Sequence, residues 1–117
     1  MSLFDKDLAI ERAGNSFELA RELFEMLISD LPNSQKIMLH AHSTLNKDSL
    51  WDAVHKVHGG TAYCGVPDLQ IACKELEDHI KDTFPSPSVD TAFESLQLEI
   101  TKLLNEAEAL ATQLKKT

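Results

Sequence analysis

His55 and His58 stand three residues apart in the run WDAVHKVHGGTAYCGVP, and Gly59 and Gly60 follow at once. Imidazole can ligate a metal, carry a proton or attack an electrophile near neutral pH, so the chemistry of this chain is sought here first. A metal site is one possibility, because an i,i+3 pair shares a helix face and Asp52 lies a turn before His55. An inward-facing site would need further ligands from other helices, and the stripes those helices turn inward are apolar, so no metal is expected. A nucleophilic enzyme fares worse. There is no GxSxG elbow, HExxH pair or GxxxxGK[ST] phosphate loop, and the spacing of His58 and Cys64 sets them on different helix faces rather than in a Cys-His pair. Cys64 and Cys73 form no CxxC unit and read as two small, half-buried hydrophobes.

The glycines raise a separate question, since each one inside a helix costs about 1 kcal/mol relative to alanine. At about 100° per residue and with Leu50 as zero, Val54, Val57 and Thr61 fall within about 40° and Ala53 about 60° away, which turns that face to the core. His55 lies about 140° round, beside Ala62 at about 120° and Gly59 at about 180°, on the side facing water; His58, at about 80°, is on the boundary. Gly59 and Ala62 therefore keep the surface around His55 low, as suits a place where another molecule must come close. Gly60, at about 280°, points to the bundle flank, where a missing side chain lets a neighbouring helix approach. On geometry alone, a partner-facing histidine and an ordinary surface histidine before an early helix end stand as equal alternatives. His40, His42 and His79 read as surface or boundary residues, and Trp51 as packing.

The elements that must position this run all read as helical. Residues 5–12 form a short helix with Asp5 as N-cap and Leu8 and Ile10 on its apolar side, stopped by Gly14 and Asn15. Phe17, Ala20, Phe24, Leu27, Leu31, Met38, Ala41 and Leu45 keep steps of three and four with only Ser34 polar at its turn, so 16–45 reads as one long helix bent at Pro32. Asn46, Lys47 and Asp48 make a polar turn; Asp48 or Ser49 caps the next helix, which runs to about residue 64 and carries His55. Gly65 suits its end, and Pro67 opens a helix to about residue 82 that buries Leu69, Ala72, Cys73, Leu76 and Ile80. After the breaker TFPSPS, Val89, Phe93, Leu96, Ile100, Leu103, Ala107, Leu110 and Leu114 stripe the last helix. With no alternating strand pattern, hairpin signal or repeat, the expected fold is all-α: an antiparallel four-helix bundle with a short additional N-terminal helix, a single domain over residues 1–117.

Composition narrows the partners. At 117 residues and 43% hydrophobic, the chain can build one core without disulfides or metal. Eleven basic against 19 acidic residues, a net charge of -8, oppose nucleic acid and anionic lipid alike, so no nucleic-acid partner is expected. No apolar run approaches the roughly 20 residues that span a bilayer, and MSLFDKDLAI lacks the regions of a signal peptide. Direct membrane insertion is not expected, and a cytoplasmic location is.

Together these residues resemble a known family. His55, Val57, Gly59 and Gly65 reproduce the signature of histidine-containing phosphotransfer (HPt) domains: a histidine, a hydrophobic residue two positions on, and glycines four and ten positions on. DLAIERAGNSFELARELFEMLISDLP looks like the usual opening of such domains, and HKVHGGTAYCGVPDLQIACKELE is similar to the C-terminal HPt module of BarA/GacS-type hybrid sensor kinases. The chain departs from the pattern at His58, where many members carry a lysine thought to help hold the phosphoryl group; a protonated His58 could serve instead, in a pH-sensitive way.

The resemblance implies a phosphorelay intermediate. His55 would take a phosphoryl group from the phospho-aspartate of a receiver domain and pass it to another receiver. Its neighbourhood would comprise Lys56, which reads equally as a solvated lysine, His58, Gly59 and Ala62; Tyr63, Val66, Leu8 and Ile10 are candidates for an apolar docking patch, with burial in the chain's own core an equal alternative. Such transfer runs largely on positioning and charge neutralisation, and the receiver would bring its Mg²⁺. The chain would need no cofactor or metal of its own, would have no autonomous kinase activity, and would act as a monomer in the cytoplasm, as a free protein or as the C-terminal part of an inner-membrane kinase. The competing class is a helical adaptor that binds a partner through the same face without receiving phosphate.

Overall fold

A computed structural model describes residues 2–115. Five helices follow in chain order, α1 (Lys6–Arg12), α2 (Phe17–Ser43), α3 (Lys47–Thr61), α4 (Pro67–Asp82) and α5 (Pro87–Gln113), and no strand occurs among the described residues. Consecutive long helices pack side by side, and α5 closes the ring against α2, so α2–α5 form the expected antiparallel four-helix bundle.

The caps show why each helix starts where it does. Asp5, Ser16, Asn46 and Ser86 each accept the backbone N–H three residues on, while α4 opens on Pro67 with no side-chain cap. Helix α3 thus begins at Lys47, earlier than a cap at Asp48 or Ser49 implies, because the Asn46 side chain reaches the Ser49 N–H at 3.1 Å. The turn before it corrects the end of α2 as well. Asn46 N–H donates to the Ala41 carbonyl and Leu45 N–H to that of His42, the paired bonds of a Schellman stop. Leu45 occupies the left-handed position with φ 54° and is exposed, so it is not the last residue of the α2 stripe.

Through Pro32 the helix is continuous, as its apolar register requires, and Ala20, Phe24, Leu27, Leu31, Met38 and Ala41 are buried along it with Ser34. They meet Leu50, Val54 and Val57 of α3, Leu69, Leu76 and Ile80 of α4, and Phe93, Leu96, Ile100 and Leu103 of α5 in one core.

Two long and two short helices make the bundle uneven. At about 1.5 Å per residue, α2 and α5 run roughly 40 Å and α3 and α4 only about 23 Å, within a molecule 48 Å long and about 20 Å across. Helix α1 fills the step at the α3–α4 corner. Asp5 N–H donates to the Gly65 carbonyl at 2.8 Å, and Ala9 is completely buried. Gly65 has φ +64°, and a Cβ there would collide with the Asp5 carbonyl and with Ala9, so only glycine fits. The corner also ends α3 at Thr61 rather than at 64.

Candidate functional site

The middle of α3 lies between α2 and α4. Its inward face carries Leu50, Ala53, Val54, Val57 and Thr61, all buried, and the opposite side presents the His55 imidazole, 60% exposed. The angular placement of these residues therefore holds. A Cβ on Gly59 would meet nothing within 4 Å, so the helix surface one turn beyond His55 is bare. Gly60 faces α2 as expected, its missing Cβ lying 3.4 Å from the end of Leu27.

Two side chains meet the imidazole, and a third lies over one of them. The Trp51 indole, one turn earlier, stacks on the His55 ring. Lys81 of α4 sets its ammonium 5.5 Å from the indole centroid. From beneath, Glu77 of α4 offers Oε2 to His55 Nδ1 at 3.5 Å and Oε1 to His58 Nδ1 at 2.6 Å, although its side chain is only 8% exposed. A buried carboxylate needs partners of this kind.

Glu77 and Lys81 were not singled out by the sequence reading, yet a signal for both existed. Trp51 and Lys81, and likewise His55 and Glu77, lie equal chain distances from residue 66, the centre of the α3–α4 corner. Antiparallel helices joined at a tight corner bring such pairs together. Glu77 also follows Leu76 and sits one turn beyond Cys73, inside a buried stripe where a carboxylate is out of place unless paired.

The other expected positions divide. His58 sits on the boundary and bonds Glu77 rather than standing free. Lys56 lies on the α2 side of α3, where it lines an apolar groove of roughly 160 Å³ with Leu23, Met26, Gly60 and Tyr63. Ala62 caps α3 about 10 Å along the axis from His55, too far to touch it. Tyr63 is exposed, but Val66 is buried and cannot belong to a docking patch; it packs into the corner beside Gly65.

The cysteines are more deeply buried than expected. Burial pushes the Cys64 thiol up to about 11, and burial followed by the Glu77 charge pushes Cys73 up to about 12, so neither is a nucleophile at neutral pH. His42 bonds Asp90 and stacks on Phe93, which ties the end of α2 to α5. Among the described residues, no group of three or more His, Cys, Asp or Glu side chains is arranged to hold a metal ion, and no helix is long and apolar enough to cross a membrane.

Comparison with known proteins decides the family: residues 18–113 match the Hpt domain. The chain belongs to the Hpt domain family. It is 30% identical over 112 residues to the signal transduction histidine-protein kinase BarA of Escherichia coli K12, covering 96% of this chain and 11% of that one. To the sensor protein GacS of Pseudomonas syringae pv. syringae it is 28% identical over 109 residues, 93% of this chain and 12% of that one. This Hpt domain thus spans about a tenth of the length of the curated relatives it matches. Its fold superposes on the crystal structure of the HPT domain of a Shewanella hybrid histidine kinase with a TM-score of 0.88, at 28% identity and 97% coverage of both chains. Family, fold and relatives give it a histidine phosphotransfer role in a phosphorelay.

Proposed function

We propose that His55 is the phosphoacceptor of this Hpt domain, taking its phosphoryl group from a receiver-domain phospho-aspartate and surrendering it to a second receiver. The observation that carries this reading is the pairing of an exposed ring with a buried carboxylate on one of its nitrogens. An ionised carboxylate only accepts hydrogen bonds, so Glu77 favours the tautomer with the proton on Nδ1 and leaves the lone pair on Nε2, the nitrogen turned away from it. That lone pair attacks phosphorus as the bond to the aspartyl oxygen breaks, and the carboxylate departs with the bonding electrons. The ring gains positive charge in the process, with Glu77 on its other nitrogen to stabilise it.

The surroundings serve approach more than chemistry. Bare helix at Gly59 lets the partner's phosphoryl group come in line with Nε2. The groove with Met26, Tyr63 and Lys56 gives the receiver an apolar contact beside a cation. Charge neutralisation at the phosphoryl oxygens comes mainly from the receiver's own site, in keeping with a chain that carries 19 acidic residues.

Transfer from a receiver labelled with radioactive phosphate tests the assignment. The wild-type chain should acquire base-stable, acid-labile label, and His55→Gln should acquire none while keeping its helical circular dichroism. Wild-type labelling of that variant would move the acceptor elsewhere. A chain that binds the receiver but never takes label would be an adaptor.

A further inference from the structure

Trp51 and His55 are four residues apart on α3, so their side chains meet on one flank of the helix. The indole is half-buried against the core, and its ring lies nearly parallel to the exposed imidazole. Its Nε1–H is covered and meets no acceptor among the described residues. No hydrogen bond places the indole, then; packing on the core and the Lys81 ammonium over its ring hold it.

The carboxylate beneath tethers His55 less firmly than its position suggests. Glu77 Oε1 lies 2.6 Å from His58 Nδ1, a full hydrogen bond, whereas Oε2 lies 3.5 Å from His55 Nδ1, beyond the usual range for N–H···O. The carboxylate is thus placed by His58 and meets only loosely a His55 side chain that is 60% exposed. An exposed imidazole turning about its two side-chain torsions leaves a contact of that length, and with it the bias toward a proton on Nδ1. The close contact that confines the ring is the indole.

Confinement decides what the carboxylate can do. While the ring lies on Trp51, Nδ1 stays beside Glu77 and Nε2 faces away from it. Without the indole the ring visits other rotamers, in which Nδ1 gives up its proton bias and its own lone pair can react. Building on His55 as the acceptor, we propose that Trp51 is a positioning residue that restricts phosphorylation to Nε2. It touches neither the phosphoryl group nor the reacting nitrogen; it acts by keeping the plane of the imidazole in register with Glu77.

Chemical phosphorylation reads this without a docking partner. With phosphoramidate, a ring lone pair forms the new N–P bond while the donor's P–N bond breaks, and its nitrogen leaves as ammonia. Rates come from ³¹P NMR, and the nitrogen that carries phosphate from ¹H–¹⁵N correlation spectra of protein labelled with ¹⁵N-histidine, with His55→Gln run alongside. The wild type and Trp51→Phe, which keeps a flat ring, should carry phosphate on Nε2 alone. Trp51→Ala should react about fivefold more slowly at Nε2 and place phosphate on Nδ1 as well. A residue that served only the stability of the bundle would leave the choice of nitrogen untouched. Phosphate confined to Nε2 in Trp51→Ala would therefore overturn the proposal, and so would a Trp51→Phe that behaves as the alanine variant does. Both results leave the acceptor reading standing if His55→Gln takes no phosphate; a His55→Gln phosphorylated like the wild type would overturn the two together. Trp51→Leu keeps apolar bulk without the flat ring, and it replaces the alanine variant if that one does not fold.

Discussion

The indole of Trp51 lies almost flat on the imidazole of His55, with ring centroids 4.4 Å apart and planes 17° from parallel. Stacking of this kind contributes on the order of 1 kcal/mol and restricts the imidazole to one orientation. It also couples the site to a reporter, because Trp51 is the only tryptophan in the chain. Phosphorylating His55 should therefore change the intrinsic fluorescence without added dye. Stopped-flow mixing with phosphoramidate checks this, and an unchanged emission on full ³¹P-verified phosphorylation would contradict the stacked geometry.

Glu77 bonds His58 and sets its other oxygen 3.5 Å from His55 Nδ1, so its charge and its bulk can be tested apart. Glu77→Gln nearly preserves shape, and it should slow single-turnover transfer about tenfold, equivalent to ~1.4 kcal/mol of transition-state stabilisation. Glu77→Ala leaves His58 without its buried partner and should also lower stability by about 1–3 kcal/mol, measured by urea unfolding. Unimpaired transfer in both variants would remove Glu77 from the site.

Gly59 and Gly60 of α3 and Gly65 of the corner should respond differently. Gly59→Ala adds a methyl to open space and should raise stability by about 0.5–1 kcal/mol; Gly59→Leu should keep that gain yet slow transfer from a receiver by crowding its approach. Gly60→Leu must displace Leu27 and should destabilise. Gly65→Ala meets backbone at positive φ and should cost about 2 kcal/mol or more, a Tm drop on the order of 10 °C. Scanning calorimetry ranks the variants.

Both thiols are protonated well above neutrality. In the native chain Cys64 and Cys73 should resist a thiol reagent at about pH 8 and react only as the bundle opens. Their folded values, about 11 and about 12, exceed the ordinary thiol value of 9.0. The folded state thus holds these protons where the unfolded state releases them. Their contribution to stability is intact below about pH 9 and is lost as pH rises toward about 11 and 12. Chemical denaturation in that window, compared with a variant in which both cysteines are alanine, measures it.

Much of this was legible in the residues. The apolar stripes predicted every long helix, because a three-four spacing held for six turns or more in α2 and α5 admits no other buried face. The outward turn of His55 and the flankward turn of Gly60 followed from helical angle alone. Boundaries were harder. Leu45 and Asn46 stop α2 through backbone bonds, and a leucine in the left-handed position contradicts its own preference, while among several capping residues in the turn only the structure picks the Asn46 side chain as the start of α3. Val66 was left open between a docking patch and the core, because an apolar residue at a helix end suits either, and the structure buries it. Glu77 was missed because it becomes chemical only when α4 returns beside α3, and a single helix read by itself shows only a charge in an apolar stripe.

The bare surface at Gly59 also sets an order of events. An imidazole flanked by Trp51 on its own helix and by Glu77 beneath keeps 60% of its side chain exposed, and a receiver docked over that exposed part would leave no room for another. Donor and acceptor must then take turns, which is ping-pong kinetics: the first partner departs before the second arrives. With His55 as the proposed acceptor, the phosphoryl group would rest on this chain alone between the two encounters, and the lifetime of that bond would limit how far apart in time the two receivers can be.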